Sequence, residues 1–290
     1  MRLFCALLLP VLGAGWTALA GCAAPASGNG TPSPFEALFE RMPEPQPGDW
    51  LYVRDEPGRS FENYVASRPN RPESGRDKIY VLPLGSIADS EPDLLPAMRD
   101  FLEAFFGLEV VLEDARPIPE RALNEKRKQH DAAVLLEQLA SSLPADAAAC
   151  IGLIEYDLYY EELNYVFGLG SFGNRTGVYS IARYRFEYIG QAEDITLLKR
   201  ALKVAAHEIG HIFGVHHCRR WRCVMNGSNS IVEADGRPLF LCPACLEKLR
   251  WNLGFDPKKR YERLADFYDE HAGFSAEAKR ARQLAEAIGG

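Results

Sequence analysis

Runs of apolar and polar positions divide the middle of the chain into strands and helices. Residues 78–83 (KIYVLP) are almost continuously apolar, the pattern of a buried strand. Residues 92–107 (PDLLPAMRDFLEAFFG) carry apolar side chains at helical spacing and close on Gly107, and 108–114 (LEVVLED) reads as the next strand. Strand, helix and strand in that order favour a right-handed crossover and at least one parallel pair. The pattern continues with a helix over 131–143 (DAAVLLEQLASSL) and strands over 149–156 (ACIGLIEY), 164–170 (NYVFGLG) and 176–188 (TGVYSIARYRFEY), the last with clear alternation. Residues 194–211 (DITLLKRALKVAAHEIGH) predict a helix with Asp194 as N-cap and Leu197, Leu198, Ala201, Leu202, Ala205 and Ile209 near helical spacing. From about Pro257 the chain reads as one or two charged amphipathic helices, and no internal repeat is evident. These elements predict an α/β fold: a mixed, twisted sheet packed on helices, followed beyond Gly214 by a smaller, mainly helical part.

The chemistry concentrates at the end of the 194–211 helix. Four of the six histidines fall within His207–His217, in HEIGHIFGVHHC. His207 and His211, four residues apart, project from one helix face and can share a metal ion. Glu208, the next residue along, can reach a water on that metal without ligating it. Gly214 can take the left-handed conformation that ends a helix and turns the chain, bringing His217 back as a third ligand. Three protein ligands leave a fourth zinc position open, as a catalytic site requires. His216 fits no ligand offset and reads as a flanking side chain.

A second cluster begins where the first ends. Cys218 and Cys223, then Cys242 and Cys245, form two short pairs separated by a loop, a pattern suited to a structural zinc held by four thiolates. The alternative is a pair of disulfides, each closing a small, strained loop. Cys150, in AAACIGLI, reads as a buried strand residue.

These motifs resemble the archaemetzincin family of zinc metallopeptidases, metzincin-like enzymes marked by HExxHxxGxxH followed at once by cysteine, then Cx4C, a nearby methionine and a later CxxC. Here the positions are HEIGHIFGVHHC (207–218), CRRWRC (218–223), Met225 and CPAC (242–245). The resemblance implies catalytic-zinc ligands His207, His211 and His217, general base Glu208, structural-zinc ligands Cys218, Cys223, Cys242 and Cys245, and Met225 as a hydrophobic floor beneath the catalytic zinc. It thus implies two Zn2+ per chain and a zincin-like fold with an active-site helix, a backing helix and a lower, mainly helical subdomain fastened by the second zinc. Residues 157–168 are similar to a family stretch containing Asp-Leu-Tyr and Asn-aromatic-Val-Phe-Gly. This makes Asn164, Phe167 and Gly168 candidates for the upper wall of a substrate cleft.

The ends of the chain add a location. Arg2, the apolar run Leu3–Ala20 and the sequence Leu19-Ala20-Gly21-Cys22 resemble a bacterial lipobox, with cleavage before Cys22 and lipid on its thiol. A conventional signal peptide and a single transmembrane anchor are the alternatives. The absence of aspartate after Cys22 resembles the pattern of outer-membrane lipoproteins. The expected divisions are a signal peptide over 1–21, a flexible Pro/Gly/Ser-rich tether over 22–49 with a short helix in FEALFERM, a metallopeptidase domain over 50–256 divided near 214/215, and a helical extension over 257–290. The acidic balance, 33 Lys+Arg against 40 Asp+Glu, argues against nucleic acid as a partner.

The expected function is zinc-dependent hydrolysis of peptide bonds in a peptide or protein substrate, assisted by Glu208, on a lipid-anchored protein of the bacterial envelope. The rival from another class is a non-catalytic, zinc-stabilised binding module, in which a retained general base would have no use. A thiol redox protein using Cys242-Pro-Ala-Cys245 would leave the other two cysteines unexplained.

Overall fold

Five strands with alternating faces build one sheet. In the computed structural model, which describes residues 32–171, 173–184 and 197–289, the chain runs through β1 (Lys78–Leu84), α1 (Leu94–Phe106), β2 (Val110–Leu112), α2 (Ala132–Ser141), β3 (Ala147–Ile154), β4 (Gly168–Ser171), β5 (Thr176–Ser180), α3 (Leu197–Ile212), α4 (Pro243–Leu253), α5 (Pro257–Glu270) and α6 (Ser275–Gly289). The sheet order is β2-β1-β3-β5-β4. β1 pairs in parallel with β2 and β3, and β3 with β5, whereas β4 is antiparallel to β5. Successive side chains of β1 point to opposite faces. Ile79 and Val81 join α1 and α3 in one apolar core, while Tyr80, Leu82 and Leu84 join α2 in another. This is the mixed α/β architecture expected, with α1 backing the sheet and α3 beside it.

Some predicted elements are shorter in the structure. Of the strand expected over 176–188, residues 185–188 lie outside the described residues, and the described strand ends at Ser180, where its partner β3 ends at the paired Ile154. There the Ser180 hydroxyl accepts from the Ala182 amide and donates to the Tyr156 carbonyl, turning the chain into a 3-10 turn, Ala182–Tyr184. In 164–170 only Gly168 onward pairs as a strand. Asp194, the expected N-cap of α3, lies outside the described residues.

The ends of the chain depart further from expectation. Residues 1–31, with Cys22, lie outside the described residues; most of 32–49 are exposed, but the stretch around Phe35–Met42 docks on the rest of the chain. FEALFERM forms only the 3-10 turn Glu36–Leu38. Its flanking rings lodge on the body of the protein, Phe35 6.2 Å from Tyr261 and Phe39 6.4 Å from Trp221, while the Arg41 guanidinium stacks 3.6 Å over Trp221. Aromatic and cation–π anchors therefore override the Pro/Gly-rich composition. The C-terminal extension is likewise part of the core. The α5–α6 hairpin packs on α1, with Phe267 5.5 Å from Phe101 and the Arg260 guanidinium donating to the Phe105 carbonyl at 2.6 Å. Phe267→Ala is expected to reduce the unfolding free energy by about 3–5 kcal/mol, the usual cost of emptying a buried aromatic site. Urea denaturation of the zinc-loaded protein measures this, and a loss below ~1 kcal/mol would make the hairpin an appendage instead.

Candidate active site

His207, Glu208 and His211 lie on the last turns of α3, and the chain reverses just beyond. Gly214 has φ +82°, and a Cβ there would come within 2.6 Å of the Pro69 Cβ, so glycine is required by both conformation and space. Its amide and that of Val215 close on the His211 and Gly210 carbonyls. The reversal brings His217 back to the triad, with ring centroids 4.8 Å from His211 and 5.2 Å from His207.

Outer hydrogen bonds fix which nitrogen faces inward. His207 Nδ1 donates to the Val224 carbonyl at 2.8 Å, His211 Nδ1 to the Val215 carbonyl at 2.6 Å, and His217 Nδ1 to Glu56 Oε2 at 2.7 Å. These acceptors have no proton to give, so each Nδ1 carries the hydrogen and each Nε2 presents a lone pair. The Nε2 atoms of His207 and His211 face each other at 2.9 Å, and that of His217 is buried without a hydrogen-bond partner. Nitrogens about 2.1 Å from one tetrahedral zinc stand ~3.4 Å apart, the same scale. Burial foremost, and then the charge of His217, pushes His207 down to about 3, and burial drives His211 well below its ordinary value. Neutral imidazoles are the form that binds metal. The donor set, the tautomers and the orphaned nitrogen all fit a zinc ion.

Glu208 is 1% exposed, and burial raises its carboxyl to about 8. Its Oε2 has no hydrogen-bond partner. The edge strand β4 passes directly over it. A Cβ at Gly168 would sit 3.0 Å from Glu208 Oε1 and also 3.0 Å from the Val178 carbonyl, so a side chain there would press on both and glycine eases the close approach. Met225 is fully buried beneath α3, where its sulfur lies 2.5 Å from the position of a Cβ on Gly210.

The four cysteines form a second centre one loop away. None is in a disulfide, and their sulfurs lie within 4.8 Å of one another. Cys218 and Cys242 are 3.6 Å apart, close to the ~3.8 Å separating sulfurs 2.3 Å from a tetrahedral zinc. Cys223 Sγ accepts the backbone amides of Met225 and Cys242. Cys242 caps the N-terminus of α4, where the helix dipole favours negative charge. Without a cation the four cannot all ionise. Burial foremost pushes the Cys242 thiol up, while hydrogen bonds from its neighbours lower that of Cys218.

The other predicted residues divide. Phe167, stacked on Tyr184 at 5.6 Å, lines a cleft beside His207 and Glu208 together with Lys203, Val204, Val224 and Ile231. Gly168 lies on Glu208, as described. Asn164 is tied back by its carbonyl, which accepts from Arg127 and Gln129, both at 2.9 Å. His216 stays outside the triad, half-buried. Cys150 is buried in β3, and burial pushes its thiol up to about 12, as suits an inert strand residue. Two residues at the triad carried no signal in the sequence. Glu56 is one, and Trp50, whose ring packs edge-on against His217 at 5.1 Å, is the other. The partial burial of Glu56 pushes its carboxyl up, but the hydrogen bond and charge of His217 outweigh this and hold it below its usual range.

A mixed sheet with an antiparallel edge strand over a helix carrying HExxH, and a third histidine past a glycine turn, defines the zinc metallopeptidase class. Comparison with known proteins specifies it further. The family model for peptidase family M54 matches residues 116–251. The chain is 32% identical over 281 residues to archaemetzincin-2 of Pongo abelii, spanning 82% of this chain and 77% of that protein. It is 38% identical over 187 residues to the archaemetzincin of Pyrococcus furiosus, spanning 62% and 95%. The crystal structure of archaemetzincin from Methanopyrus kandleri superposes with a TM-score of 0.53 at 29% identity, covering 63% of this chain and 99% of that one. The chain belongs to the archaemetzincin family and is a zinc metallopeptidase.

The approach of Met225 to Gly210 generates a test. Alanine is favoured over glycine inside a helix by about 1 kcal/mol, but overpacking a full core costs about 1–3 kcal/mol. The second effect is expected to win because the methionine is fully buried and its thioether would have to repack among other core side chains. Gly210→Ala is therefore expected to lower Tm by calorimetry. A raised Tm would mean that Met225 yields freely.

Proposed function

We propose that the chain hydrolyses peptide bonds at a zinc held by His207, His211 and His217, with Glu208 as the general base and acid. The observation that carries the reading is the free, buried Oε2 of Glu208 beside three inward-facing Nε2 atoms. Zinc supplies Lewis acidity there, polarising the scissile carbonyl and making water acidic. Glu208 would remove a proton from the attacking water as the new C–O bond forms, and the C–N bond would break only as the nitrogen takes that proton. Glu208 then delivers that proton to the leaving amine, so that one water is consumed per bond cut. Its burial suits the return step, because desolvation favours the protonated carboxyl that hands its proton to the amine. β4 is the terminal strand of the described sheet, and an extended peptide added along its outer edge would lie over the triad. Phe167 and Gly168 would then form the upper wall. We assign the second zinc of each chain to Cys218, Cys223, Cys242 and Cys245.

The proposal extends to location. Leu19-Ala20-Gly21-Cys22 is read as a lipidation site that tethers the enzyme to the bacterial envelope, probe-able by its chemistry alone. No helix among the described residues is long and apolar enough to cross a membrane. In cells fed radiolabelled palmitate, the wild-type chain is expected to take up label and Cys22→Ser to lose it. Label retained in Cys22→Ser would overturn the assignment.

Glu208→Ala is expected to retain its metal and to lose peptidase activity by about 100- to 10,000-fold, the range for losing a general acid–base. Digestion of a peptide library with purified zinc-loaded protein measures this, and full activity in the variant would sink the mechanism. Atomic emission should find two zinc per chain, with one lost in His211→Ala and the other in Cys223→Ser. One zinc and four oxidised cysteines would remove the second site and leave the first.

A further inference from the structure

The three Nδ1 partners are not equivalent. His207 and His211 donate to backbone carbonyls from segments adjoining the metal motif, Val224 and Val215. His217 donates instead to a carboxylate from 161 residues away in sequence, Glu56. Glu56 lies outside the 116–251 range that the family model matches. Its oxygen is on the Nδ1 side of the ring. The metal-facing Nε2 is on the other side, so the carboxylate supports the ligand from behind and does not compete for the ion.

The segment that carries Glu56 is anchored at both ends to chain flanking the triad. On one side the Trp50 amide donates to Glu233 at 3.1 Å, and the indole fills the space over Gly227, where a Cβ would come within 2.5 Å of the ring. On the other, the Tyr64 hydroxyl donates to the Phe213 carbonyl at 2.7 Å, and Arg59 reaches the Gly214 carbonyl at 3.4 Å. Between them Arg219, two residues past His217, grips the Glu56 carbonyl and pairs with Asp55 at 3.3 Å. The side chain of His217 is 1% exposed, so its Nδ1–H has little access to water as an alternative acceptor. Charge gives a second reason. Three neutral imidazoles bring no negative charge to a buried dication, and Glu56 places a carboxylate in hydrogen-bond contact with the triad.

Building on the proposed catalytic zinc site, we propose that Glu56 is a positioning residue for that metal: it fixes the tautomer and direction of His217 and balances the charge of the ion. Outer partners of ligating histidines contribute about 10- to 100-fold in metal affinity.

The test is zinc affinity of the full-length protein, measured by competition with a chromophoric chelator. Glu56→Ala is expected to weaken the histidine site about 10- to 100-fold. Glu56→Gln keeps an oxygen that accepts from Nδ1–H but carries no charge, so it should fall between wild type and alanine. With cobalt in place of zinc, the visible bands of the histidine site should shift in both variants. The thiolate-to-cobalt charge-transfer band of the cysteine site should not. Wild-type affinity in both variants would overturn the proposal, as would equal weakening of both metal sites, which marks a general loss of stability. If Glu56→Ala does not fold, the nearly isosteric Glu56→Gln decides alone. Failure of the underlying site looks different: His211→Ala would then cost no zinc in the otherwise wild-type chain.

Discussion

The site depends on one constraint, the satisfaction of three outer imidazole N–H groups that are buried away from solvent. A histidine offers its Nε2 to a metal only if something else holds the hydrogen on Nδ1, and here each holder comes from a different part of the chain. Val215 holds His211 because the chain turns at Gly214. Val224 holds His207 because the loop from Cys218 to Met225 folds back under α3. Glu56 holds His217 because an N-terminal segment lies along the rim of the site. The metal motif is therefore local in sequence, but the protonation state that makes it useful is assembled by the tertiary fold.

The same constraint explains how closely the elements approach α3. The helix is covered on one side by β4 and on the other by Met225, and both contacts are made at glycines. Gly168 on the strand gives room to Glu208, and Gly210 on the helix gives room to the methionine. A side chain at either position would separate the carboxylate from the sheet edge or lift the helix from its floor. Burial between these layers is also what raises the carboxyl of Glu208 and lowers the histidines, since desolvation disfavours the charged form in each case.

Much of this was legible in the sequence, for identifiable reasons. The i, i+4 pair and the glycine turn are properties of a single helix and its end, so spacing alone located His207, Glu208, His211 and His217. β1, α1, α2 and β3 followed from apolar periodicity. The strand after Gly170 was over-extended because alternation in TGVYSIARYRFEY does not reveal where the neighbouring strand ends. The docking of part of the tether past residue 31 was not legible for a related reason. Composition counted Pro, Gly and Ser, but the segment is held by Phe35, Phe39 and Arg41 finding Trp221 and Tyr261 far along the chain. Glu56 and Trp50 belong to no period and no motif, and their partner is 161 residues from Glu56. Contacts of that range leave no trace in a single sequence.

The shared loop links the two metal centres physically. Cys218 follows His217 directly, its amide donates to the Met225 carbonyl, and Cys223 precedes the residue whose carbonyl holds His207. Asn226 ties this loop together, its side chain donating to the Cys218 and Trp221 carbonyls and accepting from the Cys223 amide. A disulfide between any two of these sulfurs would need them ~2.0 Å apart. The 3.6 Å between Cys218 and Cys242 would have to shrink by drawing the loop towards α4. Val224 and Met225 ride on that loop, so the acceptor of His207 and the floor under α3 would move with it. Four sulfurs left at their present spacing, as a bound cation would hold them, keep the loop where the histidines need it. The cysteine cluster thus sets the position of the Val224 carbonyl and, through it, the orientation of His207, so the state of its sulfurs bears directly on the catalytic triad.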